Sequence, residues 1–187
     1  MKLKMYHVDS FTDRLFSGNP AGVCPLPAGW PDDELMQNIA LENNLAETAF
    51  YIHDDRGYHI RWFTPAVEVD LCGHATLAAA HIYFTQENNA ASSIGFGSRS
   101  GMLTIRKDGD CLTMNFPADD IRRVELSSEI RACFEATPRE VYRGKTDYML
   151  VFDIEKQIAN MKFDLAAILK LSARGVIVTA KGNECDF

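Results

Sequence analysis

Residues 5–11 read as an opening strand, with Tyr6-His7-Val8-Asp9 alternating between apolar and polar, and Gly18-Asn19-Pro20 then turns the chain into a short apolar strand ending at Pro25. Pro31-Asp32-Asp33-Glu34 marks a helix start, where proline is tolerated and acidic side chains face the positive end of the helix dipole. Its buried stripe is predicted to be Leu35, Met36, Ile39 and Ala40, and Asn43-Asn44 closes it. Two hairpins follow from the pattern: residues 46–52 with 58–63 around Asp54-Asp55-Arg56-Gly57, and residues 102–105 with 111–114 around Lys107-Asp108-Gly109. Between them, Ala75-Thr76-Leu77-Ala78-Ala79-Ala80-His81-Ile82-Tyr83-Phe84 carries no acidic residue, lysine or arginine. A helix without a charged face is one enclosed on all sides. Leu77, Ala78, Ile82 and Phe84 are expected to be buried, and the small residues at 78–80 let surrounding strands approach closely.

The predicted class is α+β, a mostly antiparallel sheet rolled around a central buried helix. Pro117-Ala118-Asp119-Asp120 is a shift in composition that reads as a linker. It divides a first β-roll half, residues 1–117, from residues 118–187. The second stretch offers helices over 127–134 and 164–171 and strands over 141–143, 147–152 and 176–178.

Composition narrows the function classes. The 187 residues are 47% hydrophobic, ample for a packed core, and 26 acidic against 19 basic side chains give a net charge of −7. Without a basic cluster, nucleic acid is not an expected partner. Met1-Lys2-Leu3-Lys4-Met5 has no continuous apolar signal region, and the apolar helix is far short of the roughly 20 residues a membrane span needs. A soluble, cytoplasmic protein is therefore expected. Cys24, Cys72, Cys111, Cys133 and Cys185 are an odd number at wide separations, which fits neither a disulfide framework nor a zinc motif. His74 and His81 stand about two helical turns apart, too far to share an ion by themselves. No metal and no cofactor are expected.

The strongest chemical signal is Cys72-Gly73-His74 at the start of the apolar helix, where free N–H groups and the dipole favour a bound carboxylate. Together with Gly18-Asn19-Pro20 and Glu47-Thr48-Ala49-Phe50, in this order and spacing, it resembles the signatures of the phenazine biosynthesis-like (PhzF) family, within the diaminopimelate epimerase-like superfamily. The segment 175–187 is similar to the family as well. The resemblance implies two similar halves, each a sheet around a central helix, with the active site between them, and a homodimer. It also implies an isomerase that needs no cofactor and moves a proton on a small carboxylic or amino acid.

On pattern alone Glu47 is a strand glutamate facing solvent; the resemblance makes it the general acid/base. His74 alone reads as a hydrogen-bonded core histidine, and the resemblance assigns it to the substrate pocket, where a neutral imidazole can orient a substrate without adding charge. Gly73 would let backbone approach the ligand, and Asn19 either binds substrate or merely forms its turn. Cys72 reads as a packing residue. The rival is a cysteine-dependent amino-acid epimerase with Cys72 as base. A third reading is a non-catalytic remnant, because the aspartate and second helix start that family members bring from their other half have no counterpart here.

The expected consequence is an incomplete second half, with Val176, Ile177 and Val178 lacking cover. The 187-residue chain should therefore self-associate or lack a closed cleft, and should complete no isomerisation. Light scattering behind a sizing column tests this: a monodisperse monomer that turns substrate fully into product would overturn it.

Overall fold

Ala49, Phe50, Tyr51 and Ile52 are all buried, although neighbours on a strand face opposite ways. Their strand, β3 (Glu47–Asp54), therefore has cover on both faces. The computed structural model describes residues 2–14, 16–116 and 118–183. The chain falls into two units, Met1–Phe116 and Pro117–Phe187.

In the first unit, β1 (Tyr6–Ser10), β2 (Asn19–Pro25), β3, β4 (Gly57–Phe63), β6 (Ser93–Ser98), β7 (Gly101–Asp108) and β8 (Cys111–Asn115) form one curled sheet in the order β1-β2-β3-β4-β6-β7-β8, and β5 (Glu68–Val69) pairs with β4. The β2–β3 and β4–β6 pairings are parallel and the rest antiparallel, as a mostly antiparallel reading requires. Each parallel pairing needs a crossover, supplied by α1 (Asp33–Asn43) for the first and by α2 (Gly73–Ile82) for the second.

The two helices divide the faces of the sheet. Ala21, Val23, Ala49, Tyr51, Ile60 and Trp62 pack with Ala75, Ala78, Ala79 and Ala80 of α2. Cys24, Phe50, Ile52 and Phe63 pack instead with Met36 and Ala40 of α1. The alanines of α2 are at most 1% exposed, so the strands close directly onto its backbone cylinder. The enclosure is not total: Leu77 is half-buried and His81 exposed, while Ala78, Ile82 and Phe84 are buried as expected. The helix ends in a π-helical turn, Tyr83–Glu87.

α1 begins two residues after Pro31, with Asp33 and Glu34 in its first turn, and Asn44 ends it in the left-handed conformation at φ 51°. Of the four residues expected on its buried stripe, Met36 and Ala40 are buried and Ile39 half-buried, but Leu35 is 42% exposed. One residue is 100° of helix, and that step turns Leu35 away from the sheet toward water. Strand β6 is absent from the sequence expectations because Gly95 and Gly97 dilute its alternation of Ile94 and Phe96. The glycines answer to packing: a Cβ on Gly97 would stand 2.8 Å from the His59 ring, and one on Gly95 3.1 Å from the Met102 sulfur.

In the second unit, β9 (Arg122–Val124), β10 (Glu140–Arg143), β11 (Tyr148–Val151) and β12 (Val176–Thr179) make a sheet in the order β12-β11-β10-β9. The expected helices shorten to α3 (Ser128–Ala132) and α5 (Leu165–Ile168), capped by Ser127 and Asp164, and α4 (Glu155–Ala159) joins them. Ile130, Val141, Leu150 and Phe152 form a core against which Val176 and Val178 also pack. Ile177 alone of that trio is exposed, because alternation turns its two neighbours inward. The readings that fell on Pro117 and on residues 184–187, Cys185 included, lie outside the described residues.

The contrast on α1 is measurable. Met36→Ala should cost about 2–5 kcal/mol, as a lost core side chain does, and Leu35→Ala no more than about 0.5 kcal/mol. Urea unfolding of the two variants checks it, and equal losses would contradict the placement of the helix.

Candidate functional site

The route from β4 into α2 is pinned by polar contacts before it reaches Cys72. Thr64 Oγ1 accepts hydrogen bonds from the backbone N–H of Ala66 (3.1 Å) and Val67 (2.9 Å). The Arg61 guanidinium donates to both carboxylate oxygens of Glu68, at 2.7 and 2.8 Å, while its third arm reaches Asp33 on α1 at 2.8 Å. Such a two-pronged pair fixes geometry as well as charge. Ser100 Oγ then donates to the Asp70 carbonyl at 2.9 Å.

Cys72 is the extended N-cap residue of α2, and its carbonyl accepts from both the backbone N–H (3.2 Å) and the hydroxyl (2.5 Å) of Thr76. One residue into the helix, the His74 carbonyl accepts from Ser10 Oγ at 2.8 Å, which fastens the helix start to the end of β1. Nothing in the sequence marks Ser10 for this role; it is a buried serine at the end of an otherwise alternating strand.

Glu47 is the first residue of β3, paired with Ala21 of β2, and not an interior strand residue as the pattern implied. At that end it meets the helix start: His74 Nε2 lies 3.3 Å from Glu47 Oε2, with the two side chains 11% and 20% exposed. The pair is close without being aligned, since Nε2 is buried and makes no hydrogen bond among the described residues. On the other side of the ring, His74 Nδ1 is 3.5 Å from Cys72 Sγ. The three residues bring their ligand atoms within 4.8 Å of one another.

Burial pushes the Cys72 thiol up to about 12, and the Glu47 carboxylate beside it pushes in the same direction. A thiol held protonated is a poor base. Among the described residues outside its own helix, the Phe116 ring comes nearest the vacant Cβ position of Gly73, at an ordinary contact distance of 3.6 Å, so packing against the rest of the fold does not demand a glycine there. Asn19 opens β2 opposite Ser10, exposed and without a side-chain hydrogen bond among the described residues. Gly18 before it holds φ +83°, and a Cβ would collide with the Ser10 carbonyl, so this turn does require glycine. A cavity of about 390 Å³ beside the turn is lined by His7, Asp9, Phe16, Ser17, Gly18 and Pro20; Glu47 and His74 are not among its walls.

Cys72 should accordingly resist alkylation. Burial holds its thiol protonated well above pH 8, whereas Cys111 is exposed. Peptide mapping after brief native iodoacetamide treatment should find Cys111 labelled and Cys72 unmodified; early labelling of Cys72 would contradict the buried, protonated thiol.

Comparison with known proteins agrees along the whole chain. Residues 8–186 match the family described as phenazine biosynthesis-like protein. A Pseudomonas aeruginosa protein named an uncharacterized isomerase is 46% identical over 187 residues, covering 100% of this chain and 71% of that protein. The crystal structure of a PhzF-family phenazine biosynthesis protein from Enterococcus faecalis superposes with a TM-score of 0.91 at 40% identity, over 100% of this chain and 71% of its own. A predicted epimerase from Pseudomonas aeruginosa, 19% identical with a TM-score of 0.67 over 95% of this chain and 70% of its own, shares the fold. The chain belongs to the phenazine biosynthesis-like, or PhzF, family.

Proposed function

We propose that the protein is a cofactor-independent isomerase of PhzF type that moves a proton between carbons of a small carboxylic or amino acid, with Glu47 as the general acid/base. The observation that carries this reading is the meeting of Glu47 with His74 at 3.3 Å at the first turn of α2. Glu47 takes a proton from the substrate carbon and returns it at another. The carboxylate of the substrate sits toward the free N–H groups after Cys72, where the dipole favours negative charge. His74 Nε2, buried and without a hydrogen-bond partner among the described residues, supplies a bond to the substrate as charge develops. Gly73 leaves room for that approach, and Asn19 lies on the neighbouring strand end. Catalysis then rests on positioning and proton transfer.

The rival, with Cys72 as base, is disfavoured by the thiol at about 12. A base works best when its pKa lies near the working pH, and this one is several units away.

Hydrogen exchange separates the two. Incubated in D2O with a panel of small carboxylic and amino acids, the protein should place deuterium on a substrate carbon, a half-reaction that asks only for Glu47 and the helix start. Glu47→Gln should slow that exchange by about 10²–10⁴ with little change in substrate binding, because it removes the proton carrier and keeps its shape. Cys72→Ser should keep most of the rate. Full exchange in Glu47→Gln removes the proposed mechanism, and loss of exchange in Cys72→Ser alone puts the thiol in its place.

A further inference from the structure

Among the described residues, Glu47, Cys72 and His74 are the one group of three acidic, histidine or cysteine side chains whose ligand atoms all lie within 4.8 Å of one another. Sequence spacing conceals it, because the carboxylate comes from β3 and the other two donors from the start of α2. One carboxylate, one thiol and one imidazole form a donor set with a clear preference. Magnesium and calcium take oxygen ligands, whereas sulfur and imidazole together select zinc and its neighbours.

Three further observations favour an ion. His74 Nε2 is buried and lacks a hydrogen-bond partner among the described residues, so a metal–nitrogen bond would satisfy an atom left unsatisfied. The separation of 3.3 Å between His74 Nε2 and Glu47 Oε2 matches the ligand edge of roughly 3.3 Å that zinc–nitrogen and zinc–oxygen bond lengths set, and Cys72 Sγ lies 3.5 Å from Nδ1 on the other side of the ring. One ion takes one ring nitrogen, so capture requires the His74 ring to turn until a single nitrogen faces both partners. The charges also close: a thiolate and a carboxylate cancel a dication, and the imidazole stays neutral, which suits a buried site.

We propose that Glu47, Cys72 and His74 capture a divalent cation of the zinc class, and that a captured ion shuts off proton transfer. On capture the Cys72 S–H bond breaks, a sulfur–metal bond forms and the proton passes to solvent; the ion keeps its charge and nothing is oxidised. The Glu47 oxygen and His74 nitrogen needed for the reaction are then occupied. The capture stands on the donor set alone, while the inhibition rests on the function proposed above.

Cobalt(II) reads the capture without any activity. Added to the metal-free chain, it should give a thiolate-to-cobalt charge-transfer band that saturates at one ion per chain and is displaced by zinc. Cys72→Ser should abolish the band. Glu47→Gln and His74→Gln should weaken binding by at least about tenfold, since even removing a group that only supports a ligand costs that much. Cys111→Ser should leave the band unchanged, and circular dichroism verifies that each variant is folded. No charge-transfer band, a band that survives Cys72→Ser, or one indifferent to both Glu47→Gln and His74→Gln overturns the site. In the deuterium-exchange assay, one equivalent of zinc should stop exchange and a chelator restore it. Full exchange with cobalt held by the trio overturns the inhibition and leaves the metal site standing. No cobalt band, with exchange that still depends on Glu47, overturns the metal site and leaves the function standing.

Discussion

Enclosure of α2 is the constraint on which the first unit depends. Its alanines at 75, 78, 79 and 80 are at most 1% exposed, and a strand can come that close only where side chains are this small. A helix satisfies its own backbone hydrogen bonds, so it can sit inside a curled sheet at little polar cost along its length. Its N-terminus is different. The first N–H groups have no partner within the helix, and the N-cap residue Cys72 makes no side-chain capping hydrogen bond among the described residues. Burying the helix body thus delivers unsatisfied donors to the place where β1 and β3 supply Ser10 and Glu47.

The parallel pairing of β2 with β3 sets the second half of that arrangement. Running parallel, the two strands present Ala21 and Glu47 side by side, and the return path through α1 covers the outer face. An antiparallel partner would have put the opposite end of β3 beside the start of β2. Thr48, one residue on, is held by Asn43 Nδ2 at 3.2 Å, so the last turn of α1 fixes the strand next to the glutamate. Glu47 is consequently held on a strand and His74 on a helix, which fixes the two backbones beside each other.

Much of this was legible in the sequence because charge and periodicity were unambiguous where they mattered. The stretch from Ala75 to Phe84 has no charged face, and only enclosure explains that. The hairpin around Asp54–Gly57 follows from apolar runs on either side of turn residues. What stayed hidden depended on partners distant in the chain. β6 carries two glycines whose reason is His59 and Met102, and Leu35 looks like core until the sheet direction is known. The site divides in the same way. Glu47 and His74 stand out by their family-like motifs, but neither motif says that Cys72 lies within reach of both, nor that Ser10 ties the helix start to β1.

Cys72 shows how one environment can forbid one chemistry and permit another. Burial and the Glu47 carboxylate keep its proton on, which makes it a weak base toward carbon at neutral pH. The same surroundings place a carboxylate and an imidazole near the thiol, and a coordinating metal ion deprotonates a thiol outright, which is what the proposed capture would use. An acidic carbon substrate brings no such compensation. The two proposals therefore ask different things of the same three donors: the proton transfer would use Glu47 and His74 with the thiol as a neutral wall, whereas the metal capture would recruit all three.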